Sequence, residues 1–302
     1  MAAVGGWNLG SAVFSQLASN VTSRVNFAKN TVAFLRLHKF DGFDLDWEYP
    51  AQRDGNPVAD KVNFVLLLKE LKTALGAAGY LLSIAAASPA SSAYSSYDIP
   101  NVAANVDFIN LMTYDLHGSW DQRTGIHAAL FAHPTETTSY QRQLNVDACV
   151  QYWLRQGAPK DKIIMGIPMY GRTMTLSNPS QNEIGAPIFG PGLAGRYTSQ
   201  ESGFLGFNEI CENKWPRIWQ STQKVPYAFS LDQWVGYDDV DSVTIKSNYI
   251  LDNDLGGIMI WSIETADFRG NCGQGKYPLI SVAHSILVKG LVKQLRRDYY
   301  IL

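Results

Sequence analysis

The chain has 302 residues, 46% of them hydrophobic, which is enough to bury a large core and excludes a disordered or low-complexity segment. Length alone allows one large domain or two of ordinary size. With 25 lysines and arginines against 27 aspartates and glutamates, the net charge of −2 does not suggest the concentrated basic surface of a nucleic-acid or anionic-membrane binder.

Neither a targeting segment nor a membrane segment is expected from the sequence. No apolar run reaches the ~18 residues of a transmembrane helix, and the first residues, MAAVGGWNLGSAVF, lack the basic and long apolar parts of a signal peptide. Three cysteines cannot build a disulfide framework. Cys211 and Cys272 can pair and leave Cys149 free, or all three can be reduced and buried, and their spacing does not decide between these states.

Aromatic residues make up 12% of the chain, with 8 tryptophans and 15 tyrosines. Their side chains offer flat apolar faces, so one interpretation is a groove that stacks ligands such as sugar rings. The alternative is an ordinary core rich in aromatic side chains. Composition alone leaves both open.

Short apolar runs, rich in β-branched residues or glycine, predict six strands separated by helical patterns. The predicted strands are Ala2–Trp7, Gly42–Glu48, Leu81–Ser88, Phe108–Asp115, Ile163–Tyr170 and Gly257–Ile263. Strand followed by helix, repeated along the chain, is typical of a parallel α/β sheet.

Three helices are predicted between these strands. The first covers Val21–His38, with apolar residues every three or four positions at Val21, Val25, Ala28, Val32 and Leu35. Asp60 is predicted to be the N-cap of the second, whose core face comprises Phe64, Leu67, Leu68, Leu71 and Leu75. The third covers Asn145–Gln156 and ends at Gly157 and Pro159.

Two segments depart from the strand–helix pattern. Residues 172–234 are rich in glycine, proline, asparagine and serine and then in aromatics, which indicates a lobe inserted after a strand. Residues 288–302 form a basic and apolar tail, predicted to be a final helix with a solvated face, although a membrane or partner helix is the alternative. Its basic residues are Lys289, Lys293, Arg296 and Arg297.

The most informative segment is the acidic run DGFDLDWEYP, residues 41–50. Side chains alternate along a strand, so Asp44, Asp46 and Glu48 share one face, and Trp47 lies on the other in the core. Successive acids on that face are ~6.6 Å apart, so at least one of them should hold its proton near neutral pH. A protonated carboxyl at the C-terminal end of a parallel strand suits general acid catalysis, and Glu48 has that place.

Two other interpretations of the acidic run are weaker. Carboxylates bind hard cations, yet no His-Glu-x-x-His or comparable ligand cluster accompanies them, and the five histidines are scattered. A solvated structural edge is the second, but the alternating Phe43, Leu45 and Trp47 demand burial on the opposite face. Acid–base catalysis is therefore favoured.

The run DGFDLDWEYP resembles the Asp-Gly-x-Asp-x-Asp-x-Glu signature of glycoside hydrolase family 18, the animal-type chitinases. Other segments resemble the family's strand motifs, with Ala3 standing where the family has serine. These segments are VGGW, LMTYDLHGSW, MGIPMYGR, WVGYDD and GGIMIWSIETADF, and GFNEIC falls where the family carries an α+β lobe. The matches run from Val4 to about Leu287, nearly the whole chain.

The resemblance implies an α/β fold of the TIM (β/α)8-barrel type with an α+β lobe between strands seven and eight. VGGW matches the family's third strand, so the six predicted strands are strands three to eight, and the first two βα units and a signal peptide are expected to be missing. The implied domains are the barrel over 1–171 and 235–287, the lobe over 172–234 and the tail over 288–302.

An incomplete gene model or splice form is the favoured explanation for the expected missing strands. A shortened chain that closes by rearrangement, or strands supplied by another chain, are the alternatives. A monomer is expected unless the open barrel edge pairs with another chain.

The family's activity is hydrolysis of β-1,4-linked N-acetylglucosamine polymers with retention, in which the substrate's own N-acetyl oxygen attacks the anomeric carbon. The resemblance implies chitin or chitooligosaccharide as the partner, an extracellular location, and neither a metal nor an organic cofactor. Glu48 matches the general acid that later acts as base, and Asp46 the acid that orients the acetamido group. Asp44 matches the buried residue that tunes the acid at the position of Asp46, and Tyr114 matches the residue whose hydroxyl holds the acetamido oxygen. Asp41 is predicted to be structural.

Further substrate contacts are implied by the same motifs. Trp261 matches the floor that stacks the sugar at the cleavage site, where a distorting ring needs a flat apolar face, although each aromatic can instead be plain core. The other implied contacts are Asp115 with sugar hydroxyls, Met112 under the N-acetyl methyl, Trp7 and Trp120 as outlying platforms, Tyr170 and Arg172 near the cleavage point, and Glu209 on the lobe wall. Met259 is expected to pack, and the family favours a Cys211–Cys272 bridge.

Three functions compete: an endo-acting chitinase, a lectin that binds chitooligosaccharide without cutting it, and a hydrolase of the chitobiose core of N-glycans. Such lectins typically replace the general acid, whereas Glu48 and Asp46 are both present. The Tyr114-Asp115 pair and the full lobe favour chitin over the N-glycan core. The expected truncation keeps an inactive or binding-only chain possible, because a site loosened by ~1 Å can lose ~10²-fold in rate.

Overall fold

The computed structural model describes residues 1–198 and 201–299, the last nine of these by their backbone alone. The described residues form two compact units. The first comprises Met1–Met112 and Val150–Met165, and the second comprises Thr113–Cys149 and the described residues from Gly166 onward. Among the helices of the described chain, none is long and apolar enough to cross a membrane.

The first unit alternates strands and helices. Its elements are β1 (Ala2–Gly5), α1 (Ala12–Ser19), α2 (Val21–His38), β2 (Gly42–Asp46), α3 (Asp60–Ala77), β3 (Leu81–Ala87), α4 (Ala90–Ser96), α5 (Ile99–Ala104) and β4 (Phe108–Met112), followed by α6 (Val146–Arg155) and β5 (Ile163–Pro168), which both cross the boundary between units. The strands lie in the order β1-β2-β3-β4-β5, each parallel to its neighbour. Parallel neighbours need crossover connections, which the intervening helices supply.

Helix α2 has the predicted bounds but a different buried face. Val21 is exposed, whereas Arg24 is buried, with Nη1 donating to the backbone oxygen of Ala18 at 2.6 Å. The buried residues of α2 are Arg24, Ala28, Thr31 and Leu35. Hydrophobic periodicity missed this face because a hydrogen-bonded arginine can occupy a core position that the pattern assigns to an apolar residue.

Helix α3 buries all five predicted core residues, but the prediction for its N-cap is wrong. Ala59 holds the N-cap position and Asp60 is the first helical residue. The fully buried Asp60 carboxylate accepts hydrogen bonds from the Ser15 hydroxyl at 2.7 Å and the Asn56 N–H at 2.6 Å. Asp60 therefore ties α1 and the preceding loop to the helix instead of capping it.

The second unit carries an antiparallel sheet. Its elements are β6 (Tyr170–Leu176), β7 (Ile188–Pro191), β8 (Phe204–Gly206), α7 (Phe207–Asn213), β9 (Arg217–Gln220), β10 (Val225–Ser230), β11 (Gln233–Gly236), α8 (Val240–Asp252), β12 (Gly257–Trp261) and α9 (Pro278–Tyr299). The sheet order is β7-β6-β11-β10-β9, with β8 also pairing with β6, while β12 follows β5 in the order of the parallel sheet. The core of this lobe is built around Met174, Val225 and Trp234.

The predicted C-terminal tail is only partly described. The backbone of α9 is helical up to Tyr299. The side chains of Lys293, Arg296 and Arg297, and residues 300–302, lie outside the described residues.

Candidate active site

The acidic run lies where β2 ends. Asp44 and Asp46 belong to the strand, and Glu48 follows it by two residues. On the opposite face, Phe43 and Leu45 are buried, and Trp47 is buried in the core as predicted. The alternation therefore separates an apolar face from an acidic one.

Asp44 is held by two polar side chains of the neighbouring strands. Its Oδ1 accepts hydrogen bonds from the Ser83 hydroxyl of β3 at 2.5 Å and from the Asn110 amide of β4 at 3.0 Å. Burial nonetheless raises the pKa of Asp44 above its usual value, and the two hydrogen bonds only partly oppose it. The sequence did not single out Ser83 and Asn110, although the parallel register places Ser83 directly beside Asp44.

Asp46 is the carboxyl whose proton affinity is raised most clearly. Burial, then repulsion by Glu48 and Asp44, raises its pKa to about 7. Its Oδ1 is buried and has no hydrogen-bond partner among the described residues. This agrees with the sequence argument that one of the three acids holds a proton near neutral pH.

Two glycines allow β1 to approach Asp46. Gly5 has a φ of 127°, and a Cβ there would overlap the backbone oxygen of Asp46. The neighbouring Gly6 N–H donates to that same oxygen at 2.8 Å. The two glycines of the VGGW segment are thus needed because the backbone passes directly against the acidic strand.

Glu48 is buried and surrounded by groups of its own unit. Burial, then the charge of Glu48, raises the pKa of the Tyr49 phenol well above its usual value, so the phenol stays protonated as a donor to Glu48. Arg53 donates to the backbone oxygens of Glu48 at 3.2 Å and Trp7 at 2.6 Å. Its guanidinium also lies 4.0 Å from the centre of the Trp7 ring, a contact that the sequence did not reveal.

Four polar residues lie together in the second unit. Tyr114 and Asp115 follow β4, and Tyr170 and Arg172 lie at the start of β6. The Asp115 carboxylate accepts hydrogen bonds from the Tyr170 hydroxyl at 2.8 Å and from Nε and Nη2 of Arg172, each at 2.7 Å. Burial alone would raise the pKa of Asp115, but the hydrogen bonds and positive charge of Arg172 outweigh it and hold the pKa well below its usual range. Asp115 is therefore a fixed anion.

Tyr114 is buried beside this anion. Its ring meets that of Tyr170 edge-on at 6.1 Å, and its hydroxyl lies 3.7 Å from the sulfur of Met259 in β12. Met112, the last residue of β4, is half-buried in the first unit. The sequence assigned Met259 to packing, and its contact with Tyr114 fits that role.

The three tryptophans assigned to sugar stacking are exposed. Trp7, Trp120 and Trp261 have 57%, 55% and 53% of their surfaces accessible, which excludes plain core for all three. Trp120 lies over Gly118, where any Cβ would overlap the indole ring, and the Arg172 guanidinium is 5.4 Å from its centre. An exposed indole held by its neighbours is suited to stacking.

Glu209 is bound within the lobe. Its carboxylate accepts hydrogen bonds from the N–H groups of Tyr197 at 2.6 Å and Gly206 at 2.9 Å, and from the Thr198 hydroxyl at 2.8 Å. Glu209 is buried and lies in the first turn of α7. These contacts fit a structural role at the helix start, because they bind both carboxylate oxygens within the lobe.

Cys211 and Cys272 form the disulfide that the resemblance favours, and Cys149 is free and buried. The bridge connects α7 of the lobe to the segment after β12. This resolves the choice between a bridge and three reduced cysteines that spacing left open.

Comparisons with known proteins agree with these features. A family model described as glycosyl hydrolases family 18 matches residues 1–266. The chain is 42% identical to chitotriosidase-1 of Mus musculus over 286 residues, which are 92% of this chain and 61% of that protein. The chain therefore spans less than two thirds of that relative's length.

Two solved structures extend the comparison. The Group IV chitinase of Ostrinia furnacalis in complex with allosamidin matches with a TM-score of 0.92 at 44% identity, over 95% of this chain and 79% of that one. Human YKL-39, described as a pseudo-chitinase with retained chitooligosaccharide binding properties, matches with a TM-score of 0.89 at 36% identity, over 94% of this chain and 79% of that one. The similar proteins thus include both a chitinase and a pseudo-chitinase.

The fold is accordingly the TIM-barrel type with an antiparallel lobe, as the motifs implied. Glycoside hydrolysis is the chemistry for which the matching family is named. Because the family model covers most of the chain and its acidic signature is complete, this chain belongs to glycosyl hydrolases family 18.

Proposed function

We propose that this chain hydrolyses β-1,4 linkages between N-acetylglucosamine units of chitin or chitooligosaccharides, with retention and by a substrate-assisted mechanism. The observation that supports it most is the acidic trio at the C-terminal end of β2, in which burial and then repulsion raise the pKa of Asp46 to about 7 beside Glu48. A carboxyl that holds a proton near neutral pH beside a second carboxyl can supply that proton for acid–base catalysis.

In the proposed first step, the Glu48 carboxyl gives its proton to the glycosidic oxygen as the bond to the anomeric carbon breaks. The substrate's acetamido oxygen attacks the same carbon from the opposite face, so no protein nucleophile is needed. The Glu48 carboxylate then removes a proton from water, which attacks the anomeric carbon and reopens the ring. Two inversions give net retention and return the proton to Glu48.

Asp46 and Asp44 support this cycle. Asp46 shares its proton with Glu48, and this proton passes to Glu48 and from there to the glycosidic oxygen. The Asp46 carboxylate that remains accepts a hydrogen bond from the acetamido N–H and lies beside the positive charge of the cyclic intermediate. Its unpartnered Oδ1 is a suitable acceptor for that N–H. Asp44 contributes negative charge that keeps a proton on Asp46 near neutral pH.

Tyr114 matches the family residue whose hydroxyl holds the acetamido oxygen, and Met112 the one under the N-acetyl methyl. Asp115, Tyr170 and Arg172 offer a carboxylate, a phenol and a guanidinium to sugar hydroxyls. These three are already joined by hydrogen bonds, so they are ordered before substrate arrives.

Trp261 is proposed as the stacking floor at the cleavage site, with Trp7 and Trp120 as outlying platforms. Their exposure supports this assignment, since an indole of the core has no face left for a sugar. Indoles stack on the apolar faces of sugar rings, which suits a chain of N-acetylglucosamine units.

The alternative is a chitooligosaccharide-binding lectin, favoured by the similarity to human YKL-39. The presence of both Glu48 and Asp46 supports the enzyme instead. Incubation with chitotriose, followed by proton NMR of the new reducing end, tests the choice. The β-anomer as first product supports retention by the proposed mechanism, whereas binding without product supports the lectin.

We also propose an extracellular location. The Cys211–Cys272 disulfide supports it, because such bridges persist in oxidising compartments and are rare in the cytosol. Immunodetection in the medium of expressing cells tests this, and retention of the full-length endogenous protein inside cells would contradict it.

A further inference from the structure

His127 is a fully buried histidine to which the sequence assigns no role. Its Nε2 lies 3.1 Å from the backbone oxygen of Tyr170. Its Nδ1 lies 3.4 Å from the backbone nitrogen of Asp115 and also 3.4 Å from Oδ1 of that residue. The imidazole therefore touches the ends of two segments that carry the sugar-binding groups.

The two contacts of Nδ1 are mutually exclusive. An unprotonated Nδ1 accepts a hydrogen bond from the Asp115 N–H, and the proton then resides on Nε2, which donates to the Tyr170 oxygen. A protonated Nδ1 donates to the Asp115 carboxylate and no longer accepts from the N–H. Proton uptake by His127 thus exchanges one hydrogen bond to Asp115 for another.

Burial keeps His127 in the neutral form. It lowers the pKa of His127 below the usual 6.5, although the Asp115 hydrogen bond and charge oppose this. The other charged groups that face it are Arg172 of β6, which lowers the pKa, and Asp238 after β11, which raises it. Asp238 is itself paired with Lys246 of α8 at 2.6 Å, and Tyr170 contributes its backbone oxygen and its ring.

The backbone of Asp115 adopts an uncommon conformation. Its φ of 55° lies in the left-handed region, which few non-glycine residues occupy, although aspartate does so more readily than most. The hydrogen bond that the Asp115 N–H donates to Nδ1 of His127 fixes the peptide that enters Asp115. That peptide sets the direction of the carboxylate that Arg172 and Tyr170 bind.

We propose that neutral His127 is a positioning residue that holds the Asp115–Arg172 pair in the arrangement that binds the sugar. The sugar contact rests on the proposed function, whereas the hydrogen bonds of His127 do not. Since protonation of His127 removes the N–H contact, affinity for substrate falls as the pH drops through the pKa of His127, below 6.5.

Three variants distinguish the contacts made by the two ring nitrogens of His127. In His127→Asn the amide oxygen can take the place of Nδ1 as acceptor but cannot titrate. In His127→Leu the volume is kept and both polar contacts are lost, and His127→Gln retains a donor near the place of Nε2. We expect His127→Leu to raise KM for chitotetraose about 10-fold with kcat changed less than about twofold, on the scale of one lost hydrogen bond.

The pH dependence distinguishes positioning from plain packing. The wild type should show a rise in KM below pH 6.5 that His127→Asn abolishes while keeping a KM near the wild-type value at pH 7. A rise in KM that persists unchanged in His127→Asn would overturn the proposal. Equal melting temperatures of the wild type and His127→Asn serve as the control for folding.

Nitrogen NMR of the full chain tests the proposal without substrate. In histidine-labelled protein at pH 7, the resonance missing from His127→Asn should report a proton on Nε2 and none on Nδ1. The Arg172 Nε–H signal should shift in His127→Leu and remain in His127→Asn. A proton on Nδ1 at pH 7, or an unmoved Arg172 signal in His127→Leu, contradicts the proposal, whereas absent turnover by the wild type contradicts the proposed function alone.

Discussion

Asp46 and Asp115 are both aspartates at strand ends, yet their surroundings drive their proton affinities apart. Asp46 is half-buried beside two other carboxyls, and desolvation and then their repulsion raise its pKa to about 7. Asp115 is also half-buried, but the guanidinium of Arg172 binds both its oxygens and lowers its pKa. The first is suited to sharing a proton and the second to binding as a permanent anion.

Replacing Asp46 by asparagine removes the carboxyl that shares a proton with Glu48. Because no second carboxyl is then left to share or repel, the proposed acid loses its proton at lower pH than in the wild-type pair. We expect Asp46→Asn to reduce kcat about 10²-fold and to move the alkaline limb of the kcat/KM profile toward acid. Kinetics on a chromogenic chitobioside between pH 4 and 9 measure both effects, and an unchanged profile would count against the coupled pair.

The same carboxyl affects stability. Its pKa is raised from 3.8 to about 7 on folding, so the native state retains a proton that the unfolded chain has lost between these pH values. The free energy of unfolding from this group therefore falls by up to about 4 kcal/mol as the pH rises through that window. Urea unfolding of Asp46→Asn should show a shallower decline from pH 4 to 7, whereas the exposed control Asp41→Asn should follow the wild type.

The acidic run could be interpreted from sequence, but its supporting residues could not. The period of two in a strand is enough to place Asp44, Asp46 and Glu48 on one face. Ser83 and Asn110 lie on other strands, and their contact with Asp44 depends on register. His127 lies in a loop with no motif, so only the fold reveals that it touches Asp115.

At the scale of the elements, all six predicted strands exist, but each ends one to three residues before its predicted end. Glu48 lies beyond β2, Asp115 beyond β4 and Tyr170 beyond β5. Glu48 and Asp115 turn into the loops at the C-terminal ends of β2 and β4, where barrel enzymes place functional groups, whereas Tyr170 begins β6. The predicted strands were too long because apolar residues flank these positions and the sequence pattern therefore continues past the observed strand ends.

The disulfide closes a long loop between the lobe and the segment after β12. Its cysteines are 61 residues apart, for which loop-closure entropy corresponds to about 4 kcal/mol. We expect Cys211→Ser/Cys272→Ser to lose stability on this scale in urea unfolding. Reduction should destabilise the wild type equally and leave the double variant unchanged; an additional effect of reductant on the variant would contradict this assignment.

Helix α8 is fixed by a buried ion pair. Lys246 Nζ donates to Oδ2 of Asp238 and to the backbone oxygen of Ala128, both at 2.6 Å, and the Ser242 hydroxyl donates to Oδ1 of Asp238. Lys246→Met leaves the carboxylate buried without its cation, which should cost about 3–5 kcal/mol. Lys246→Met/Asp238→Asn should recover part of this loss in thermal unfolding; a double variant less stable than the single one would contradict the pairing.

At the scale of the whole molecule, the parallel strands were easier to predict than the lobe. Alternating strand and helix patterns indicate a parallel sheet directly. The order β7-β6-β11-β10-β9 depends on pairings between distant segments, and local sequence carries little information on these. Composition indicated an inserted lobe but could not describe its sheet, and the family motifs implied only that the lobe is α+β.

The activity proposed for the whole molecule depends on one proton donor. Glu48→Gln removes that donor while keeping the shape of the side chain, and Asp41→Asn makes the same chemical change at an exposed position outside the acidic face. Calorimetry should still detect binding of chitotetraose to Glu48→Gln, which would show that a loss of turnover in this variant is not a loss of binding.

The most direct test is the turnover of a chromogenic chitobioside by the wild type, Glu48→Gln and Asp41→Asn under identical conditions. We predict cleavage by the wild type and by Asp41→Asn, and a loss of at least about 10²-fold in kcat for Glu48→Gln. Equal rates for the wild type and Glu48→Gln would contradict the assignment of Glu48 as the general acid.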